Sequence, residues 1–209
     1  FQAVPGDLRN VLYTVPGKDP SRTVVLGAHY DTKDLPGFVG ANDGASGTAV
    51  ALELARELKP RTIGPTVVFA FFDGEESPRG TPDADFESEG LRGARVAAPT
   101  LKGAEAMVLL DFVGDKDLAI PREQGSDAGL WAKLRAAAKR AGKQKHFPDA
   151  TGGGVIDDHV PFQEQGIPSI DLIDFGFSCF HRRCDDMSAV SAASLDATGE
   201  TVRELLRRL

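Results

Sequence analysis

Sulfur is scarce in this chain: Cys179 and Cys184 are its two cysteines. Two thiols are too few for a Cys-only zinc site. Five positions apart, they can close a small disulfide loop, which implies an oxidising compartment, or they can stay reduced. The sequence leaves both open. Long apolar runs are also missing. None approaches the roughly 18 residues of a membrane span, and no signal peptide is visible. The chain begins at Phe1, so a leader removed or not included is the expectation, with a secreted or periplasmic location. Positive charge is short as well. Lys and Arg number 24 against 31 Asp and Glu, for a net charge of −7 and a pI of about 5.1. The basic residues form no stripe, so no nucleic-acid partner is expected. Bound divalent metal could offset much of the acid.

What is present suits a globular protein. The 209 residues are 41% hydrophobic and 26% charged, which fits one compact domain over 1–209 with a sizeable core. Leu8–Val15 reads as a strand closed by Pro16-Gly17. Thr23–Ala28 is a second, buried strand. A Gly-rich loop leads to a helix, expected to be capped by Ser46 or a neighbour, that runs to about Leu58 with Val50, Leu54 and Leu58 on one face. Val67–Phe72 is a strand, Ser77–Glu89 a loop and Leu91–Ala97 a short helix. Ala106–Leu110 is another buried strand, and Leu118–Ile120 is expected to be a short one. Helices follow at Asp127–Ala141 and Val160–Gln165, then a strand at Ser169–Ile173 and a long loop at Phe175–Met187. A last helix, capped by Ser191 or Ser194, runs to Leu209. Strands and helices alternate without repeats. The expected fold class is α/β, a three-layer α/β/α sandwich with a mostly parallel mixed sheet and an antiparallel N-terminal edge.

The stretch Val67–Glu76 organises the functional reading. Its apolar run reads as a strand buried on both faces, ending at Asp73-Gly74 and followed by Glu75 and Glu76. In open α/β sheets ligands bind beyond the carboxyl ends of strands. Adjacent carboxylates both stay ionised only with a cation or proton between them. Other expected strand ends carry His29 and Asp111, while Asp43 sits in a Gly-flanked loop opening a helix. Asp31, Asp157, Asp158, His159 and His181 complete the candidate set. Histidine mixed with carboxylate, and few thiols, suits zinc at a hydrolytic or acyl-transfer site. Asp31 is expected to orient the ring of His29, although Asp31 and Asp158 could simply cap loops. His159 is expected to cap the helix at Pro161, His146 to be solvated, and Asp149 and Asp174 to be ordinary loop residues.

Six motifs occur in order: G-A-H-Y-D, G-A-N-D-G-A-S-G, F-F-D-G-E-E, L-L-D-F-V-G, D-D-H-V-P-F-Q-E-Q-G-I-P, and F-H followed by Asp185. Together they resemble metallopeptidase family 28, which holds zinc aminopeptidases and the animal-type glutaminyl-peptide cyclotransferases. The likeness runs from Asn10 to the last helix and is closest to the bacterial glutaminyl cyclase-like branch. In the aminopeptidases, the positions matching His29, Asp43 and Asp111 hold one zinc. Those matching Asp43, Glu76 and His181 hold the other. In the cyclotransferases only the second set binds zinc, and the positions matching Asp111 and Asp157 form an acid network beside the base. The resemblance implies Glu75 as general acid/base in both branches.

The leading expectation is a zinc-dependent glutaminyl-peptide cyclotransferase with one zinc ion. The motifs around Asp157, Phe38–Ala41 and Leu109–Gly114 favour that branch. The alternative is a two-zinc aminopeptidase, favoured by Asn42–Gly47. A non-catalytic binding module ranks third, because a pure binder has no use for Glu75. Peptide or protein N-termini are the expected partners, and a monomer is expected. Phe175, Phe177 and Phe180 are expected to line the substrate pocket, with Phe180 where the cyclotransferases usually carry Trp. Arg182-Arg183-Cys184 departs from the run common to both branches.

Overall fold

A computed structural model describes all 209 residues. Six strands form one sheet: β1 (Gln2–Val4), β2 (Leu8–Val15), β3 (Asp19–His29), β4 (Pro65–Phe72), β5 (Ala106–Asp111) and β6 (Ser169–Ile173). Their order is β1-β2-β4-β3-β5-β6. β1, β2 and β4 pair antiparallel; β4, β3, β5 and β6 pair parallel. The helices are α1 (Ala45–Glu57), α2 (Phe86–Glu89), α3 (Arg92–Thr100), α4 (Ala128–Arg140), α5 (Val160–Glu164) and α6 (Ala192–Leu206).

The strand pleat sends alternate residues to opposite faces, and two apolar clusters result. Val24, Leu26, Val67, Phe69, Val108 and Leu110 face α1, α4 and α6 through Val50, Leu54, Trp131, Leu134 and Val202. Val25, Ala70, Phe72, Met107 and Leu109 face α3 and α5 through Ala94, Ala97, Ala98 and Phe162. This is the three-layer α/β/α arrangement, and it explains why the central strands are apolar without alternation. Side-chain caps fix two helix starts. Asp127 accepts from Leu130 N at 2.7 Å and Ser191 from Ser194 N at 3.1 Å. No helix is long and apolar enough to cross a membrane.

Three expectations fail locally. Ser77–Glu89 is not a loop throughout, because its end forms α2. Leu118–Ile120 is not a strand. Leu118 N closes a turn on Asp115 O and Ile120 N donates to His146 O, so these apolar residues are buried without pairing into the sheet. α1 starts after Gly44 with no side-chain cap. Ser46 instead donates to Asn42 O and accepts from Val113 N.

The topology places the site. The parallel strands deliver their carboxyl ends to one rim. The connection from β4 to β5 crosses over β3, so the strand order reverses there. A crevice opens at such a reversal.

Candidate active site

His29 ends β3 and is buried. Its Nε2 stands 3.2 Å from Asp111 Oδ1, at the end of β5, and 3.4 Å from Asp43 Oδ1. Its Nδ1 faces Asp31 Oδ1 at 3.6 Å and Glu75 Oε2 at 4.0 Å. On the other side of Asp43, Oδ2 lies 3.4 Å from His181 Nε2. His181 Nε2 is also 3.2 Å from Glu76 Oε1. Two triads of donor atoms result, His29–Asp43–Asp111 and Asp43–Glu76–His181. They share Asp43, one carboxylate oxygen facing each.

The backbone is built around that sharing. The N–H groups of Asn42 and Asp43 donate to Asp185 at 2.7 and 3.0 Å, and Asn42 Oδ1 accepts from Gly114 N at 2.7 Å. Gly44 has φ 85°, and a Cβ there would lie 2.7 Å from Asp31 O and 3.0 Å from the His29 ring. Only glycine lets the loop pass this close to the imidazole. Asp31 accepts from the N–H groups of Glu75 and Glu76 at 3.2 and 3.1 Å. It therefore braces the acidic turn and also faces His29. Phe112 and His181, both at the site, hold φ of 46° and 51°. That left-handed region is costly for residues with side chains and is retained where the surroundings over-determine it.

A cavity of about 420 Å³ opens onto these groups. Asp43, Glu75, Glu76, Asp111, Asp157 and His181 supply its polar wall, and Phe112, Ile156, Phe175 and Phe180 much of its apolar one. Every residue expected to act is thus brought to one place, with His29 directly behind Asp43 and Asp111. Phe175 and Phe180 line the cavity as expected. Phe177 does not: it is buried against Phe112, ring centroids 6.1 Å apart.

Burial pushes the Glu75 carboxyl well above the usual range; His29 opposes the shift, and Asp157, Glu76 and Asp158 add to it. Burial likewise raises Asp157 to about 7, with Asp111 reinforcing it. Asp111 thus acts on Asp157 directly. Glu76 goes the other way. Burial works to raise it, but hydrogen bonds from His181 and Lys33 hold it below the ordinary value. Lys33 Nζ sits 2.9 Å from Glu76 Oε2. Nothing in its polar loop sets Lys33 apart in the sequence.

A second buried layer lies beneath Asp157. His159 is not a side-chain cap for α5. It is enclosed, with Nε2 3.5 Å from Glu123 Oε2 and Nδ1 3.8 Å from Asp171 Oδ2. Asp158 is buried with no hydrogen-bond partner on its carboxylate and caps no loop with it. Asp174 is buried too, accepting from Ala119 N at 2.8 Å and Gly176 N at 3.2 Å. His146 is half-buried, with Nδ1 3.1 Å from Leu118 O. Asp149 is a surface group paired with Arg135, as a loop residue should be. Glu123 and Asp171 are the acidic residues the motifs do not reveal. Asp171, in the middle of the strand S-I-D-L-I, carries a usable signal, because an acid inside a buried strand needs a reason. Cys179 and Cys184 are joined as a disulfide in the loop that carries His181.

Comparison with known proteins settles the lineage. The model of peptidase family M28 matches residues 10–206. The chain belongs to peptidase family M28. It is 31% identical to a glutaminyl-peptide cyclotransferase-like protein of Bos taurus over 216 residues, covering 88% of this chain and 56% of that protein. The chain thus spans about half the length of the curated relatives it matches. Among solved structures it superposes on an Acidobacteriales bacterium glutaminyl cyclase with TM-score 0.85 and 32% identity, covering 99% of this chain and 76% of that one. It superposes on a Zn-dependent exopeptidase from Parabacteroides distasonis with TM-score 0.82 and 29% identity, covering 97% and 78%.

The donor set fits a metal ion. Asp43 Oδ2, the oxygen that faces His181, is a buried polar atom with no hydrogen-bond partner. Such atoms are costly unless something binds them. Imidazole and carboxylate converging from distant segments, with no thiolate, are the ligands that a zinc centre with an open position takes.

Proposed function

We propose that this M28 chain is a zinc-dependent glutaminyl-peptide cyclotransferase, converting an N-terminal Gln to pyroglutamate with release of ammonia. The observation that carries this reading is that Glu75 and Asp157 line the same cavity. Both carboxyls are buried and both bind protons more tightly than free acids. Cyclisation needs a group that takes a proton from one nitrogen and returns it to another. A carboxyl whose proton affinity is raised above that of a free acid does this better than an ordinary one.

Asp43, Glu76 and His181 would hold one zinc ion, and His29 and Asp111 stay joined by their direct contact. Bound there, zinc supplies a Lewis acid that polarises the substrate's side-chain amide carbonyl. Glu75 accepts a proton from the substrate's α-amine, whose nitrogen then bonds to the amide carbon. Glu75 next delivers that proton to the departing nitrogen as the carbon–nitrogen bond breaks, and ammonia leaves. Burial, with Asp157, Glu76 and Asp158 adding to it, keeps the proton affinity of Glu75 high. Phe175 and Phe180, their ring centroids 5.1 Å apart, form one apolar patch of the cavity that excludes water and holds the glutaminyl side chain. The Cys179–Cys184 bond supports a secreted or periplasmic location.

A second reading has its own support. Both triads are intact and share Asp43, the arrangement a two-zinc aminopeptidase uses. Counting zinc per chain while assaying Gln-initiated and Leu-initiated peptides separates the two. One zinc with ammonia from Gln supports cyclisation. Two zincs with free leucine refute it in favour of the peptidase.

A further inference from the structure

The loop after β6 crosses the site as an arch. One foot is the buried Phe177, packed on Phe112. The other is the buried Asp185, which holds the N–H groups of Asn42 and Asp43. Between them, His181 reaches inward to Asp43 and Glu76. Cys179 is half-buried and Arg182, Arg183 and Cys184 are exposed, and residues 178–184 contribute nothing to either apolar cluster. Packing fixes only its centre: the Phe180 ring meets Phe112 and Phe175 at centroid distances of 5.6 and 5.1 Å, and His181 stands edge-on to Phe38 at 6.2 Å.

A few hydrogen bonds and one ring stack hold the rest. Arg182 N donates to Cys179 O and Asp185 N to Arg182 O, both at 2.9 Å. Arg183 Nε donates to Pro36 O at 2.9 Å. The Phe180 ring stacks on the His181 imidazole with centroids 3.9 Å apart. Against these, His181 holds φ 51°, a conformation that an unconstrained histidine leaves for the β or right-handed region. The disulfide closes the arch at its base and encloses Phe180, His181, Arg182 and Arg183 in one covalent ring. No other covalent constraint acts here.

We propose that the Cys179–Cys184 disulfide is a positioning element for His181, so that metal binding at Asp43, Glu76 and His181 depends on the redox state of that bond. This rests on the reading of His181 as a zinc ligand. A dithiol opens the ring by attack of its thiolate on the exposed Cys184 sulfur. The sulfur–sulfur bond breaks, the dithiol closes to its own disulfide, and its two hydrogens end on Cys179 and Cys184. Two protein thiols and one oxidised dithiol result, and His181 is free to relax.

The test compares zinc affinity, by competition with a chromophoric chelator, in three samples. They are the oxidised protein, the protein reduced with dithiothreitol and gel-filtered under nitrogen, and the Cys179→Ser/Cys184→Ser double variant. Freeing one or two residues should weaken zinc binding about tenfold to hundredfold in the last two. Their metal-free forms should keep the circular dichroism and cooperative melting of the oxidised protein. Equal affinity in the oxidised and reduced samples overturns the inference, and so does a lower metal-free melting temperature with unchanged affinity. Weak binding by the reduced protein but normal binding by the double variant also overturns it, because the new thiols rather than the lost bond are then responsible. Should the double variant not fold, the reduced native protein decides alone. If the oxidised protein binds no zinc, the metal site and this inference fall together; if it binds and reduction changes nothing, only the inference falls.

Discussion

Glu75 lies outside both donor triads, although it sits between Glu76 and His29 in the wall of the cavity. Its loss should therefore separate chemistry from metal binding. We expect Glu75→Gln to lower turnover of a Gln-initiated peptide by about 10²–10⁴-fold, the range that general acid–base catalysis supplies. The zinc content should stay at the wild-type value. Ammonia release and metal analysis on one preparation check both halves, and near-normal turnover would remove Glu75 from its role. Glu123 gives a different residue-scale expectation. Burial pushes its carboxyl up, but hydrogen bonds involving His159, Gly125 and Val155 outweigh that and hold it at about 2, from an ordinary 4.5. A carboxyl lowered on folding stabilises the fold fully above about pH 4.5, and the contribution is lost as pH falls through about 2. We expect the denaturant midpoint to drop across that window in the wild type and to drop less in Glu123→Gln. The acids that bear on the metal could be read from the sequence because each follows a strand or a glycine turn. Lys33 and Glu123 could not, since their importance comes from neighbours far away along the chain, whereas Asp171 offered the signal of an acid inside a buried strand.

At the scale of elements, Gly47 decides how closely α1 approaches β5. A Cβ on it would fall 2.0 Å from Leu110 O, a backbone atom that cannot swing aside. The contact sets the distance between Asp43, just before α1, and Asp111, the last residue of β5. Gly47→Ala should cost about 1–3 kcal/mol, as overpacking does, and should weaken metal binding by spreading the shared carboxylate from its partners. Equilibrium unfolding and chelator competition measure the two effects. Wild-type stability would show that α1 slides freely over the sheet. The core strands were legible because burial on both faces leaves unbroken apolar runs, as in Val67–Phe72 and Ala106–Leu110. β3 reaches back to Asp19, farther than its apolar part suggests, because Asp19–Arg22 is largely exposed at the sheet margin. Leu118–Ile120 misled for the converse reason: its apolar residues fill the core beside Trp131 and Leu134 without joining a ladder.

For the whole molecule, the chain gathers Asp31, Asp43, Glu75, Glu76, Asp111, Asp157 and Asp158 at one rim while already carrying a net charge of −7. Without a cation the fold must limit their repulsion by holding protons. Burial accordingly raises Asp43, Asp111 and Asp157, the last to about 7 from 3.8. A carboxyl raised on folding binds protons that the unfolded chain has released. Its penalty is therefore absent below about pH 3.8 and grows until pH passes the raised value, so the metal-free protein weakens as pH rises from about 4 towards 7. A divalent ion reverses that balance by favouring the ionised forms, and protons compete with it for the same oxygens. The gap in melting temperature between zinc-loaded and metal-free protein should therefore widen from about pH 5 to about pH 8. With free zinc at about 100 times its Kd, the gain is about 2.7 kcal/mol, or about 5–11 °C for a protein of this size. Differential scanning calorimetry with and without a chelator across that range measures the gap directly. A gap that stays constant with pH would mean that the ion is not held by these carboxylates. The rim would then have to be stabilised by protons alone, and zinc would have no place in the chemistry proposed for Glu75.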